Sequence, residues 1–174
     1  MRTVVVYKSK SGFVKKYAEW IATELAADLF EAANISVDKL TAYDNIIYGG
    51  GLYIAGINGV KLITKNLDRL SGKKIAVFAT GATPEREETI DEVKNKNFTP
   101  EQQKQIRFFY LRGGFDFQKL QPVDKVLMTL LRWKLRRRKT PTADERGMLA
   151  AYARPVDFTS KKNIHALISY FTSK

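Results

Sequence analysis

One segment near the start sets the architecture of the chain: Val4-Val5-Val6-Tyr7-Lys8-Ser9-Lys10-Ser11-Gly12-Phe13-Val14. Residues 3–7 are β-branched or aromatic without polar alternation, which is typical of a strand buried on both faces of a parallel sheet. From Val14 to Leu29, apolar residues recur at helical spacing. Because backbone N–H groups at the start of a helix can bind an anion, we predict a phosphate site at residues 9–14.

Further strand and helix patterns alternate along the chain. We predict strands at residues 34–37, 44–48, 74–80 and 106–111, and helices at residues 59–70, from Thr83 and Pro84 onward, and at residues 160–172. Such alternation indicates a parallel sheet with helices on both faces. The sequence therefore predicts one α/β domain over residues 1–174, a flavodoxin-like three-layer sandwich with five parallel strands in the order 2-1-3-4-5.

The composition excludes several kinds of site. The 174 residues include no cysteine, which rules out disulfides, thiolate zinc sites and thiol nucleophiles. The one histidine, His165, lies on the predicted last helix, so neither a Ser/His/Asp triad nor a two-histidine metal site can form. We therefore expect no catalytic side chain and no metal ligands, and any redox chemistry must come from a cofactor.

The chain has no apolar run near the ~20 residues that a membrane-spanning helix needs. Its first residues also lack the long apolar core and small-residue cleavage site of a signal peptide. A cytoplasmic location is expected from these two features.

The net charge of +12 comes from 30 Lys and Arg against 18 Asp and Glu. Much of it lies after strand five, where we predict a basic helical insertion at about residues 115–150. Its helix begins at Pro122, carries Val126 and Leu130 along one side, and ends in the basic run at residues 132–139. Two interpretations stay open. In the first, residues 123–139, from Val123 to Lys139, make peripheral contact with an anionic membrane at its inner face. In the second, the apolar side of the helix packs on the sheet and the basic run is only a solvated surface.

Ligands of such sheets bind at the carboxyl ends of the strands, where the strand order reverses. That edge carries three loops, at residues 9–14, 49–56 and 80–84. The run Gly49-Gly50-Gly51 is expected to turn sharply or to approach a ligand closely. Tyr53 is placed either to lie flat against a ring system or to pack on its own loop. Dinucleotide and P-loop signatures are absent.

The same loops resemble those of a known family. Ser9-Lys10-Ser11-Gly12-Phe13-Val14 is similar to the FMN-phosphate loop of flavodoxins, and Gly50-Gly51-Leu52-Tyr53 and Ala79-Thr80-Gly81 resemble the two loops that hold the isoalloxazine ring. The resemblance implies FMN as the cofactor. It implies the binding residues Ser9, Lys10, Ser11, Gly12, Phe13, Val14, Gly50, Gly51, Leu52, Tyr53, Thr80, Gly81 and Ala82. Val14 replaces a threonine of that pattern and removes one hydroxyl donor, whereas Lys10 adds a positive charge near the expected phosphate.

Within flavodoxin-like proteins, the chain most resembles the menaquinone-dependent protoporphyrinogen dehydrogenase group, which also has a basic, aromatic-containing insertion after strand five. The resemblance implies electron transfer through FMN, with a redox partner or a quinone and a porphyrinogen as substrate. A flavodoxin-like fold without FMN, acting as a basic interaction module or binding nucleic acid, is the alternative. Nucleic acid is the disfavoured partner because no nucleic-acid-binding motif is present.

Overall fold

The computed structural model of the protein describes residues 1–53, 55–119, 122–137, 140, 142–152 and 154–173. In chain order the elements are β1 (Thr3–Lys8), α1 (Phe13–Glu24), β2 (Asp28–Glu31), α2 (Val37–Leu40), β3 (Asn45–Tyr53), β4 (Gly56–Ile57), α3 (Lys61–Thr64), β5 (Lys74–Gly81), α4 (Glu87–Asn97), α5 (Pro100–Gln105), β6 (Ile106–Arg112), β7 (Gly114–Phe115), α6 (Pro122–Arg136), α7 (Ala143–Ala151), β8 (Val156–Asp157) and α8 (His165–Thr172).

Five strands form a parallel sheet in the order β2-β1-β3-β5-β6, and the short β4 pairs antiparallel with the end of β3. Val5 lies between Leu29 of β2 and Ile47 of β3, and Ile47 in turn pairs with Ala76 of β5. Because β4 lies off this path, the order is the predicted 2-1-3-4-5. The α/β flavodoxin-like fold is therefore confirmed.

The sheet separates two apolar cores, which gives the three layers. Val4, Val5 and Val6 are all fully buried, but successive side chains of a strand point to opposite faces. Val5 packs in the core that holds α1 and Leu167 of α8, whereas Val4 and Val6 pack in the core beneath Val93 of α4. This arrangement explains why the strand shows no polar alternation.

The predicted second strand at residues 34–37 is wrong. The second strand is Asp28–Glu31, whereas Asn34 ends a 3₁₀ turn and Val37 begins α2. The first helix ends at Glu24, and Ala26 then takes a left-handed conformation with φ of 47°. That turn moves Leu29 out of the helical pattern and into pairing with β1.

The two middle helices are shorter than predicted. Within residues 59–70 only Lys61–Thr64 is α-helical, and the Asn66 amide donates a hydrogen bond to the Leu62 carbonyl oxygen at 2.9 Å, which competes with regular helical bonding. The next helix does not start at Thr83 and Pro84. Helix α4 begins at Glu87, and the Thr83 carbonyl oxygen instead accepts a hydrogen bond from the Tyr110 hydroxyl at 2.8 Å.

Residues 116–155, which we call the helical segment, are closed at their base by two short strands. Gly114 pairs with Asp157 and Phe115 with Val156 in an antiparallel ladder. Helix α6 begins at Pro122 as predicted. Arg138 and Lys139, the end of the predicted basic run, lie outside the described residues, as does the side chain of Val123.

The base of the helical segment is fixed to helix α1. The Lys16 ammonium lies 3.0 Å from an Asp157 carboxylate oxygen, and Asp157 also accepts hydrogen bonds from the backbone and hydroxyl of Thr159 at 2.8 and 2.6 Å. Burial alone would raise the pKa of Asp157, but the Thr159 hydrogen bonds and the Lys16 charge outweigh burial and hold this pKa below its ordinary value.

Across the parts of the chain that the structure describes, we find no helix with both the length and the apolar character required to cross a membrane.

Replacing Asp157 with asparagine should destabilise the protein at pH 7 by at most about 1 kcal/mol, because the pair is partly exposed and screened by solvent. A carboxyl group with a lowered folded pKa contributes stability above its unfolded pKa of about 3.9, and this contribution is lost as the pH falls through the folded value. The stability difference between wild type and Asp157→Asn should therefore shrink in acid. Urea unfolding at pH 7 and at progressively lower pH measures it, and a difference independent of pH would contradict the assignment.

Candidate functional site

The three predicted loops meet at one edge of the sheet. Lys8 at the end of β1 pairs with Gly50 of β3, and Gly50 pairs with Ala79 of β5. One position further along, Gly51 pairs with Thr80. Residues 9–12, 50–53 and 80–82 therefore lie side by side, as the sequence predicted.

The first loop leads directly into α1. Gly12 has a φ of 93° and an open space where a side chain would begin, so backbone conformation and not crowding favours glycine here. Among the described residues, no side chain caps the N-terminus of α1. The sequence predicted that the Gly12 N–H would be available to an anion. Instead, it donates a hydrogen bond to the Ser9 hydroxyl oxygen at 3.1 Å. The N–H groups of the first helical turn have no acceptor within the helix, which is an arrangement that can bind an anion.

Two predicted binding residues of the first loop turn their side chains into the protein. Val14 is 2% exposed and belongs to the core on the α1 face. The Phe13 ring lies so close to Gly114 that a side chain there would clash, with the ring carbon Cζ 2.6 Å from an added Cβ. Val14 can therefore offer a ligand only its backbone N–H group, whereas the Phe13 ring is partly exposed. The methyl groups of Val14 occupy core space where the flavodoxin pattern has a threonine.

The glycine run does not turn sharply, which was one of the two alternatives predicted for it. Strand β3 continues through Gly49, Gly50 and Gly51 to Tyr53. A side chain on Gly49 would clash with the Phe78 ring, and an added Cβ on Gly50 would lie 2.7 Å from the Asn58 carbonyl oxygen. Other atoms of the protein therefore occupy the space beside these two glycines, and no ligand is needed to explain them. Among the described residues, only Val14 would lie within 4 Å of an added Cβ on Gly51, at 3.6 Å, so this position leaves room for a ligand.

The second loop is a tight hairpin held by α4. Leu52 pairs with Ile57 and Tyr53 with Gly56, and Ile54 at the tip lies outside the described residues. The Asn97 side chain donates to the Ala55 carbonyl oxygen at 2.7 Å and accepts from the Ile57 N–H at 2.8 Å. This clamp fixes the hairpin in place. Sequence reasoning missed Asn97, since an asparagine late in a polar helix gives no signal of a partner 42 residues earlier.

Tyr53 presents a free ring surface beside the first loop. Its side chain is 43% exposed, and the Lys10 ammonium lies 5.3 Å from the ring centroid. The ring is therefore exposed, as a stacking role requires, and the cation links the two loops. Residues 9–14, 50–53 and 80–84 carry one charge among them, that of Lys10, which favours an anionic ligand.

The third loop contains a polar group without a partner. Thr80 is 6% exposed, and its hydroxyl oxygen has no hydrogen-bond partner in the described part of the chain. A buried hydroxyl without a partner costs free energy, so such groups usually serve a ligand or an ordered water. Its neighbour Gly81 accepts a hydrogen bond from the Gly113 N–H at 2.8 Å.

Tyr110 and Arg112 of β6 support the third loop from below, and sequence reasoning missed both. An added Cβ on Gly81 would lie 2.6 Å from the Tyr110 hydroxyl, and burial raises the pKa of Tyr110 to about 12, so the phenol stays protonated and donates to Thr83. The Arg112 side chain reaches the Ala82 carbonyl oxygen at 3.4 Å. Neither their residue types nor their spacing indicates this role, because their partners Ala82 and Thr83 follow β5, about 30 residues earlier.

A family model described as a flavodoxin domain matches residues 4–142. The chain belongs to the flavodoxin-domain family. Its relatives include an uncharacterized protein of Methanocaldococcus jannaschii, which is 34% identical over 106 residues; the match covers 56% of this chain and 69% of that protein.

Solved flavodoxin structures are similar at low sequence identity. Oxidised flavodoxin 2 of Bacillus cereus is 22% identical, with a TM-score of 0.42 over 64% of this chain and 86% of its own. The two-electron reduced flavodoxin of Megasphaera elsdenii is 18% identical, with a TM-score of 0.45 over 62% of this chain and 84% of its own.

Gly12→Ala should lower stability by about 1–2 kcal/mol, because alanine disfavours a positive φ. Gly72→Ala is the matched control, since Gly72 also has a positive φ of 76° with open space around it, and it lies in the turn before β5. We expect both variants to be destabilised similarly in urea, but only Gly12→Ala to weaken binding of FMN, the ligand that the resemblance implies. Equal FMN affinities for the two variants would show that the first loop does not bind the phosphate.

Proposed function

We propose that the protein binds FMN at the carboxyl edge of its sheet and acts as an electron-transfer flavoprotein. The observation that carries the proposal is the buried Thr80 hydroxyl without a partner, paired across the ladder with the open Gly51. The uncapped N-terminus of α1 lies at the same edge. Together they offer a free polar group for a ring system and free N–H groups for a phosphate.

The residues present fit FMN. Ser9, Ser11 and the N–H groups of the first turn of α1 would hold the phosphate, with the Lys10 charge nearby. Residues 51–53 and 80–82 would hold the isoalloxazine ring, with the exposed Tyr53 ring available for stacking. FMN supplies the redox chemistry when bound, by taking up and releasing electrons. The protein binds and orients it, and no side chain has to act as a nucleophile.

A role without FMN, as a basic interaction or nucleic-acid-binding module, explains less. Such a module would use surface lysines and arginines on phosphates. It would have no use for a buried unpaired hydroxyl beside an open glycine at the carboxyl edge of the sheet. The edge is better explained by a cofactor.

The finer proposal is a quinone-linked porphyrinogen dehydrogenase, in which the porphyrinogen is oxidised and the quinone is reduced. Its support is the resemblance stated above and the position of the helical segment. The base of that segment adjoins the cofactor edge, because Gly113 lies against the Thr80 methyl group and Gly114 against the Phe13 ring. Anaerobic assays with FMN-loaded protein, protoporphyrinogen and a quinone analogue test it. Absence of porphyrin formation with FMN bound would leave an electron carrier.

Titration of the cofactor-free protein with FMN, followed by flavin fluorescence, tests the main proposal. We expect saturable quenching at one flavin per chain, since flavin fluorescence changes when the ring stacks on an aromatic side chain. Protein that gives no saturable change at any FMN concentration would refute the proposal.

Thr80→Val then separates the cofactor role from a structural one. Valine has the same shape without the hydroxyl, so the cofactor-free protein should gain about 1 kcal/mol of stability when the unpaired buried group is removed. The FMN affinity should fall by about fivefold to tenfold for the loss of one hydrogen bond. Thr80→Ser keeps the hydroxyl and should retain most of the affinity. Unchanged FMN affinity in Thr80→Val would show that the hydroxyl does not contact the flavin.

A further inference from the structure

Helix α6 exposes an apolar stripe. Val126, Leu130 and Trp133 are 64%, 59% and 55% exposed, and Leu127 beside them is 36% exposed. At about 100° per residue, Leu130 lies about 40° to one side of Val126 and Trp133 about 20° to the other. Large apolar side chains that line up on one helix face at this exposure usually mark a contact surface.

The opposite side of α6 attaches the helix to the rest of the segment. Leu135 is 6% exposed, and the Tyr152 hydroxyl donates to the Met128 carbonyl oxygen at 2.7 Å. The Tyr152 ring packs against Phe115 of β7 at 5.2 Å and against Phe117 at 5.4 Å between centroids. The interpretation in which the apolar side of the helix packs on the sheet does not fit Val126, Leu130 and Trp133, because these side chains are exposed. The exposed stripe is not the side by which α6 is held.

Positive charges border the stripe on both sides. Measured around the helix from Val126, Lys134 lies about 80° one way and Arg136 about 80° the other, and both are exposed. The Arg137 guanidinium stacks 3.5 Å from the Trp133 ring centroid, so a cation also lies on the stripe itself. Asp124 is the one acidic residue in the sequence of α6.

We propose that this face of α6 docks on the surface of an anionic lipid bilayer. An amphipathic helix with an apolar stripe between cations lies in the interface plane, with its apolar residues below the headgroups and its cations beside the lipid phosphates. Tryptophan prefers that interfacial depth. A nucleic acid would meet the same cations but would leave Val126 and Leu130 in water. The proposal does not rest on flavin binding.

Cosedimentation with vesicles tests the charge requirement. The full chain, with and without FMN, is mixed with vesicles of phosphatidylcholine alone or of phosphatidylcholine with phosphatidylglycerol. We expect binding to the anionic vesicles and about tenfold or more weaker partitioning for the triple variant Lys134→Gln, Arg136→Gln, Arg137→Gln. The control triple variant Lys61→Gln, Lys65→Gln, Lys104→Gln removes equal charge at exposed sites elsewhere and should bind like wild type. Equal losses in both variants would overturn the proposed face.

A second pair of variants tests the apolar contact. Val126→Ser with Leu130→Ser keeps every charge and should lose most of the vesicle binding. Trp133→Phe should retain binding but lose the blue shift of tryptophan emission that wild type shows on anionic vesicles. Both changes are at exposed positions, so circular dichroism should confirm an unchanged fold. No binding to either vesicle, or full binding by the serine variant, would overturn the proposal, as would retention on nucleic acid without retention on lipid.

Discussion

The pairing of β1 with β3, and of β3 with β5, sets the positions of the three loops at the carboxyl edge of the sheet. Lys8, Gly50 and Ala79 lie in one row across the three strands. The loop that follows β1 at Lys8 therefore begins beside the last residues of β3 and β5. A shift of one residue would reverse the faces of Val4, Val5 and Val6, all of which are fully buried. The observed register brings the three loops together.

A single tyrosine connects helix α1 with the chain on both sides of the helical segment. The buried Tyr17 of α1 donates from its hydroxyl to the Arg112 carbonyl oxygen at 2.6 Å and accepts from the Asn163 amide at 2.6 Å. Burial raises the pKa of Tyr17, so the phenol stays neutral and can serve as both donor and acceptor. Together with the Lys16–Asp157 ion pair, these hydrogen bonds join α1 to the end of β6 and to the residues that follow the helical segment. A partner that contacts the segment would therefore lie on an element anchored at the carboxyl edge of the sheet.

Much of the fold follows from the sequence, because buried strands appear as continuous apolar runs. The strands that begin with Thr3, Lys74 and Ile106, together with helix α6 after Pro122, lie where the pattern predicts them. β2 was missed because its sequence, Asp28 to Glu31, is short and acidic at both ends, which suits a half-exposed edge strand. The continuation of β3 through Gly49 and Gly50 could not be predicted either, since it depends on the Phe78 ring and the Asn58 backbone.

The candidate site likewise consists of parts that the sequence predicts and parts that it does not. Loop composition and position predict that residues 9–12, 51–53 and 80–82 lie together, because strand ends in a parallel sheet converge at one edge. The supports of these loops, Asn97, Tyr110 and Arg112, could not be identified from sequence. Each acts through a contact with a residue far away in the chain, and none has a distinctive local pattern. The inward packing of Phe13 and Val14 likewise depends on neighbours that only the folded chain supplies.

Amide hydrogen exchange with and without FMN tests the central claim most directly, since it reports where the flavin binds. If the three loops form the cofactor site, FMN should slow exchange in residues 10–14, 51–53 and 80–82 together, while the turn around Gly72 at the other end of β5 stays unchanged. Saturable FMN binding that leaves exchange at residues 10–14 unaltered, or that protects the turn around Gly72 instead, would contradict the account.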